Sequence, residues 1–278
     1  MRLAIRRGST VLEPHRVAHP EIPGLEEYHR DLLRSFGQDL DPAAAANPPA
    51  VTHADLVEQL LDGDPLGPVV PDLVLVAYAL PDVHPFTTTA THANWRLGNH
   101  AASFAVSEQG LAAPFSAVRI ADAYFRAGRC SAAVLAVLEQ TTLPNQDPLV
   151  DKENLVDSGA LLLLSAEDDG LPALGVEQIW TQRQPAACAR RLAAAVGEPG
   201  ATLVVEGPWA LDHGVSGAGV TVDRLGTRTY GTSVWLALAE HREWAQRYDT
   251  VVLHDTDPRS DCCAAVVLRS SREETPGS

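Results

Sequence analysis

Apolar and polar positions along the chain alternate between two rhythms. From His53, HADLVEQLLDGDP carries apolar residues at helical spacing and stops on Gly, Asp and Pro. DLVLVAYALPD, from Asp72, is a continuous apolar run that ends at Pro81 and predicts a buried strand. SFAVSEQGLAAPFSAVRIADAYFRAG, from Ser103, predicts a short strand turning into a helix that ends at Gly128. SAAVLAVLEQ, from Ser131, and DSGALLLLSAEDDG, from Asp157, predict two further buried strands.

The same order then recurs. ACARRLAAAVGEPG, from Ala187, predicts a helix with a Gly/Pro stop, and ATLVVEG, from Ala201, an apolar strand. YGTSVWLALAEHREWAQRY, from Tyr230, predicts a turn and a helix, and DTVVLHD and CCAAVVLRS the closing strands. Runs that are apolar at every residue predict sheets covered on both faces, and alternation with helices predicts parallel pairing. The repeat divides the chain into an N-terminal half, residues 1–170, and a C-terminal half, residues 171–270, with a polar, frayed tail over 271–278. The joint falls in the acidic, Gly- and Pro-containing stretch SAEDDGLPAL.

Four of these segments, in this order, resemble the thiolase superfamily, and within it the type III ketoacyl synthases and related acyltransferases. VVPDLVLVAYALPDVHP resembles the family's strand and proline turn. SFAVSEQGLAAPFSAVRIADAYFRAGRCSAAVLAVLEQ resembles its nucleophile elbow, central helix and following strand. DSGALLLLSAE is similar to its G-D-G-A-A-A-L-L-L strand and YGTSVWLALAE to its G-N-T-S helix start. The resemblance, over about Val51 to Arg269, implies a thiolase-like five-layer αβαβα fold of two pseudo-repeated halves.

The resemblance also places the family's catalytic triad. Its cysteine sits at the N-terminus of the central helix, where the helix dipole lowers the thiol pKa. Matching Ala117, Ala121 and Gly128 to the family's small residues puts Leu111 at that position, and a slip of one or two residues substitutes Gly110 or Gln109. Ketosynthase relatives with glutamine there act as chain-length partners or decarboxylases, so Gln109 and Leu111 are also candidate substrate-binding residues. The family histidine corresponds to Glu206, and the family asparagine to Gly231 or Tyr230. In a condensing enzyme that His and Asn donate hydrogen bonds to the thioester carbonyl, and a carboxylate opposes the charge that develops there. The stretch EIPGLEEYHRDLLRSFGQDL also lacks the Trp and paired arginines with which relatives hold coenzyme A.

Composition narrows the partners. The 278 residues are 45% hydrophobic and 21% charged, which is globular, and the net charge of -15 disfavours a phosphate backbone as partner. Apolar stretches such as Ala160–Leu164 are too short to cross a bilayer, and MRLAIRRGST lacks the apolar core of a signal peptide. Cys130, Cys188, Cys262 and Cys263 show no C-x-x-C spacing, which predicts packed thiols in a reducing, cytoplasmic setting rather than a disulfide framework. Adjacent Cys262 and Cys263 fall on opposite faces of a strand and so make no metal pair.

Other clusters read first as structure. ALDHGVSGAG holds His213 beside Asp212 and Ser216, yet reads as a turn because triad members lie on separated elements. HDTDPRSD (His254, Asp255, Asp257, Asp261) has hard-cation ligand types, and acidic residues beside Pro258 equally start a turn. PDVHPFTTTATH, with His84 and His92, lies where the family's subunits meet or forms a solvated loop. Arg119, Arg126, Arg190 and Arg191 lie on helix faces, where an acidic carrier protein docks if it docks at all.

The leading expectation is therefore a ketoacyl-synthase-III-like protein of a polyketide, fatty-acid or other acyl-thioester pathway that does not condense. It acts as a chain-length-factor-like partner, in a homodimer or in a heterodimer with a catalytic ketosynthase homologue. A second expectation is an acyltransferase, cyclase or thioesterase that replaces the triad with Glu206, His213 or Ser107, burial raising the Glu206 pKa to a useful range. A third is an acyl-binding protein without catalysis. An acyl carrier protein or acyl-thioester is the expected ligand; nucleic acid, membrane, metal and cofactor are not expected.

Overall fold

The computed structural model describes residues 2–166, 170, 172–196, 200–226 and 228–271. Apart from Ser271, the tail lies outside the described residues, as does part of the SAEDDGLPAL joint.

Ten strands form one continuous sheet. The first five are β1 (Ala4–Leu12), β2 (Leu73–Tyr78), β3 (Ala102–Val106), β4 (Ala132–Glu139) and β5 (Ser158–Ser165). The second five are β6 (Leu174–Gln182), β7 (Thr202–Glu206), β8 (Val220–Arg224), β9 (Thr250–Thr256) and β10 (Cys263–Ser270). The order β3-β2-β4-β5-β1-β6-β10-β9-β7-β8 reads the same from either edge once β1 is matched to β6, β2 to β7, β3 to β8, β4 to β9 and β5 to β10. The two half-sheets join between β1 and β6, where Ala4 pairs with Gly175 and Ile5 with Leu174.

The pairing corrects the expectation of parallel sheets. β2 is parallel to β3 and β4, and β7 to β8 and β9, whereas β5, β1, β6 and β10 join their neighbours antiparallel. The short link between β9 and β10 leaves no room for a crossover helix, and so forces an antiparallel return.

Helices cover the strands where the apolar pattern requires. α1 (Leu25–Arg34) and α2 (Pro42–Ala45) lie in the β1–β2 connection ahead of α3 (His53–Leu61), and α4 (Thr89–Arg96) follows β2. α5 (Ala113–Arg126) precedes β4, α6 (Pro148–Glu153) precedes β5, and α7 (Pro185–Val196) lies between β6 and β7. α8 (Ser233–Glu240) and α9 (Trp244–Arg247) divide the single helix expected from Tyr230, with His241 between them. Thr52 starts α3 with a reciprocal capping box to Asp55. Gly128, at φ +66°, closes α5.

Strand alternation sorts the side chains into three cores. Leu73, Leu75 and Ala77 of β2 and Leu203 and Val205 of β7 face the central core, where α5 and α8 lie between the two half-sheets. Val74 and Val76 face α3 and α4 on one outside. Val204, Val252 and Val267 face α7 on the other. The layers are therefore helix, sheet, helix, sheet, helix, as expected. At Gly8 a Cβ would lie 2.8 Å from the Leu161 carbonyl and 3.0 Å from Ala239 Cβ, so only glycine lets α8 approach β1 this closely.

Phe115 of α5 meets Trp235 of α8 edge-to-face, with ring centroids 4.9 Å apart and both side chains fully buried. Phe115→Ala is expected to lower unfolding free energy by about 3–5 kcal/mol, read by urea denaturation. An unchanged midpoint would mean that the two central helices do not depend on this contact.

Candidate functional site

The turn between β3 and α5, where the resemblance places the family's nucleophile, is held by a carboxylate. Glu108 (φ 59°) and Gly110 (φ 52°) both take the left-handed conformation, bending the chain sharply into Gly110–Ala112 and α5. A Cβ at Gly110 would lie 2.0 Å from Asp257 Oδ2 and 2.8 Å from Tyr230 Oη. That space is taken because Asp257 Oδ2 accepts the Leu111 N–H at 3.1 Å and the Tyr230 hydroxyl at 2.9 Å. Asp257 Oδ1 accepts the Arg259 N–H at 2.7 Å, so both oxygens of this buried carboxylate are engaged. Burial and the Asp257 charge push the Tyr230 phenol well above its ordinary pKa. The Arg259 guanidinium stacks over the Tyr230 ring at 5.2 Å and binds both carboxylate oxygens of Asp147.

A second carboxylate occupies the approach to α8. Glu139, at the end of β4, accepts the Tyr230 N–H at 2.7 Å and the Gly231 N–H at 2.5 Å. Burial raises the Glu139 pKa to about 7, outweighing the two N–H bonds that favour the charged form.

Beside this seam lies an open cavity of 690 Å³ lined by Gln109, Gly110, Ser116, Arg119, Arg183 and Cys262, among others. Ser116 Oγ donates to Gln109 Oε1 at 2.5 Å, and Arg119 reaches Ser116 Oγ at 3.4 Å. Burial raises the Cys262 thiol pKa, which keeps it protonated.

Among the residues matched to the family triad, the alternatives Gly110 and Tyr230 line the cavity, whereas Gly231 and Glu206 do not. Gln109 lines it, whereas Leu111 does not: its side chain is buried in the central core. Gly231 is buried, its N–H taken by Glu139. Glu206 lies at the end of β7, where Arg224 Nε donates to it at 2.6 Å and His254 Nε2 stands 3.6 Å away. His254 first, then Arg224, hold the Glu206 carboxyl below its ordinary pKa, opposite to the rise expected from burial alone. His213 sits on the loop after β7, its pKa lowered by burial and by His254. Neither these two nor Ser107 lines the cavity, so the three candidate replacements form no joint site with it.

HDTDPRSD forms the turn that its acidic residues and Pro258 suggested. His254, Asp255 and Asp257 do not gather around one point: His254 contacts Glu206, Asp255 binds the Trp209 and Thr256 N–H groups, and Asp257 closes the elbow. Asp257 and Asp261 form the turn itself, with the Asp261 N–H bonded to the Asp257 carbonyl at 2.9 Å. Cys188 of α7 and Cys263 of β10 form a disulfide, where packed thiols were expected. The pair is 75 residues apart and meets only because α7 covers β10, which spacing does not reveal. Cys130 is a buried free thiol with its pKa pushed up to about 11.

Missed in the sequence were Asp257 and Glu139 as ligands of the elbow and helix-start N–H groups. Asp257 read as a turn former and Glu139 as the end of an apolar strand. Their signal, an acid closing each of two matching strands, β4 and β9, is too slight to single out. His92, for which one reading was a solvated loop, lies in α4 and bonds Glu58 Oε1 at 2.7 Å. No described helix is long and apolar enough to cross a membrane.

No family model matches the chain, and no curated protein matches it in sequence. Solved structures do match it in fold. A His-to-Asn variant of Xanthomonas campestris OleA with cerulenin aligns at TM-score 0.61 and 14% identity, over 97% of both chains. A Cys-to-Ser variant of OleA with bound lauric acid and lauroyl-CoA aligns at TM-score 0.59 and 14% identity, over 97% of this chain and 99% of that one. Acetamide-bound OleA aligns at TM-score 0.60 and 15% identity, with the same coverage. OleA is a ketosynthase-like enzyme of the thiolase superfamily, and this likeness establishes the thiolase-like fold.

Two outcomes follow from the buried acids. Gly110→Ala is expected to cost about 1–3 kcal/mol of stability, since the methyl collides with Asp257 and the backbone is left-handed; chemical denaturation reads it. Burial also raises the Asp255 pKa, from 3.8 to about 8. A raised carboxyl keeps its proton in the folded state where the unfolded chain has lost it, so stability falls as pH climbs between those values, with Glu139 adding to the fall up to about 7. Asp255→Asn keeps an oxygen for both N–H donors and is expected to flatten that slope in denaturation curves from pH 5 to 8; an unaltered slope would contradict the assignment to Asp255.

Proposed function

We propose that this chain is a non-condensing, ketoacyl-synthase-III-like subunit of an acyl-thioester pathway, acting beside a cysteine-bearing homologue. One observation carries the reading. The backbone N–H groups at the elbow and at the start of α8 are already bonded to Asp257 and Glu139, and the elbow side chain is the buried Leu111. Oxyanion stabilisation needs donors free to meet charge as it develops, and an N–H held by a carboxylate is not free.

The cavity beside Gln109 supports a thioester as the class of ligand. Arg119 and Arg183 suit an anionic carrier group, whether of coenzyme A or of an acyl carrier protein. OleA, similar in fold, has been seen with lauric acid and lauroyl-CoA bound. For assembly, β3 is the outermost strand of its half, hydrogen-bonded only to β2, with Ala102 and Ala105 exposed along it. Trp95 of α4, 63% exposed, lies on the helix that packs against β3. An unpaired edge beside an exposed tryptophan suits strand-to-strand pairing with a second subunit.

Incubation of the purified chain with coenzyme-A-bound and carrier-bound acyl donors is expected to give no thioester consumption and no mass adduct. Co-expression with a cysteine-bearing ketosynthase homologue is expected to yield a stable complex that Trp95→Glu weakens at least ~10-fold, a loss typical of an aromatic anchor. Catalytic consumption, or an acyl adduct on Cys262 or any other residue, would replace this reading with that of a working enzyme.

A further inference from the structure

The outer face of the second half-sheet gathers side chains that the proposed function does not use. Cys188 of α7, His213 of the loop after β7 and Cys263 of β10 place their donor atoms within 4.8 Å of one another. Both cysteines are buried and His213 is half-buried. His213 Nε2 is itself buried and has no hydrogen-bond partner. The three residues come from three separate elements, so neither local turn chemistry nor helix spacing accounts for their meeting.

A second, independent observation lies beside them. His254 is fully buried, and neither ring nitrogen has a hydrogen-bond partner. Along β9, Val252 packs against α7 in the outer core, so His254, two residues on, points to that same face, as does Cys263 from β10. Its ring centroid stands 6.0 Å from that of His213. Two imidazoles on one tetrahedral ion, with Zn–N of about 2.0 Å, hold their centroids about 5–6 Å apart. Glu206 Oε1, 3.6 Å from His254 Nε2, supplies the carboxylate that commonly orients a metal-bound histidine through its far nitrogen.

We propose that the reduced chain binds one zinc ion here, through the thiolates of Cys188 and Cys263 and the imidazole of His213, while His254, outside that 4.8 Å group, turns toward the ion as the fourth donor. In the structure the two sulfurs are joined, so the site opens by reduction. Two equivalents of a small-molecule thiol supply two electrons and two protons. The sulfur–sulfur bond breaks, two protein thiols form, and the small thiols leave as their own disulfide. Zinc then displaces the two thiol protons, and two thiolates with two neutral imidazoles leave the site without net charge, which suits its burial.

The test uses the full chain, reduced with a phosphine, freed of reductant without oxygen, and titrated with Co²⁺ and then Zn²⁺. One equivalent of cobalt is expected to give thiolate charge-transfer absorption and tetrahedral visible bands, which zinc abolishes as it displaces the ion. Cys188→Ser and His213→Ala are each expected to weaken zinc binding at least ~10-fold, as loss of a ligand does, while Cys130→Ala leaves it unchanged. His213 lies on a partly exposed loop, so its variant reports on the site even where Cys188→Ser fails to fold. Absence of stoichiometric zinc binding by the reduced chain, or binding indifferent to His213→Ala, would overturn the proposal.

Discussion

The seam between the two half-sheets depends on carboxylates that bind backbone N–H groups out of reach of solvent. Asp257, at the end of β9, holds the Leu111 N–H and the Tyr230 hydroxyl; Glu139, at the end of β4, holds the N–H groups of Tyr230 and Gly231. β4 and β9 are matching strands of the two halves, so the two acids stand at related positions and tie α5 and α8 to opposite half-sheets. Removing either would strand buried donors, a cost of about 1–3 kcal/mol for each unsatisfied group. The same contacts that secure the fold thus consume the donors a reactive site would need.

Around that seam the packing follows from strand alternation. β2, β4, β5, β7 and β10 are apolar on both faces because one face meets the central helices and the other an outer helix layer. Three buried acids sit at strand ends: Glu139 closes β4, Glu206 closes β7 and Asp257 follows β9. There the sheet stops supplying hydrogen-bond partners, and side chains take over that role. At the end of β7 the outcome differs from that at β4. Glu206 meets His254 and Arg224 and its pKa falls, whereas Glu139 meets N–H groups and a low dielectric, and its pKa rises.

Much of the architecture was legible in the sequence. Strands apolar at every residue, such as LVLVAY and AAVLAVLE, and the Gly-terminated helix before Arg129 fell where periodicity placed them. β1 and β6 escaped, because RRGST and EQ interrupt their apolar residues and leave no clean period; yet these are the strands that join the halves. The short β8, largely exposed at the far edge, escaped for the same reason. Within the site, a leucine where the resemblance places the family's cysteine was visible as a residue type. The carboxylate that binds the elbow was not, because Asp257 and Leu111 are 146 residues apart and meet only through the fold. The same holds for Cys188, His213 and Cys263, whose proximity depends on how α7 lies across β10.

The central claim is that the elbow is closed by its surroundings and not merely by the choice of leucine. The most direct test restores the missing thiol: Leu111→Cys, incubated with a long-chain acyl-thioester and weighed intact. The account predicts no acyl adduct, because the side chain at this position is buried in the central core and its N–H is bound to Asp257. Rapid, stoichiometric acylation of the introduced thiol would contradict it, and would mean that an open, reactive elbow lacks only its nucleophile.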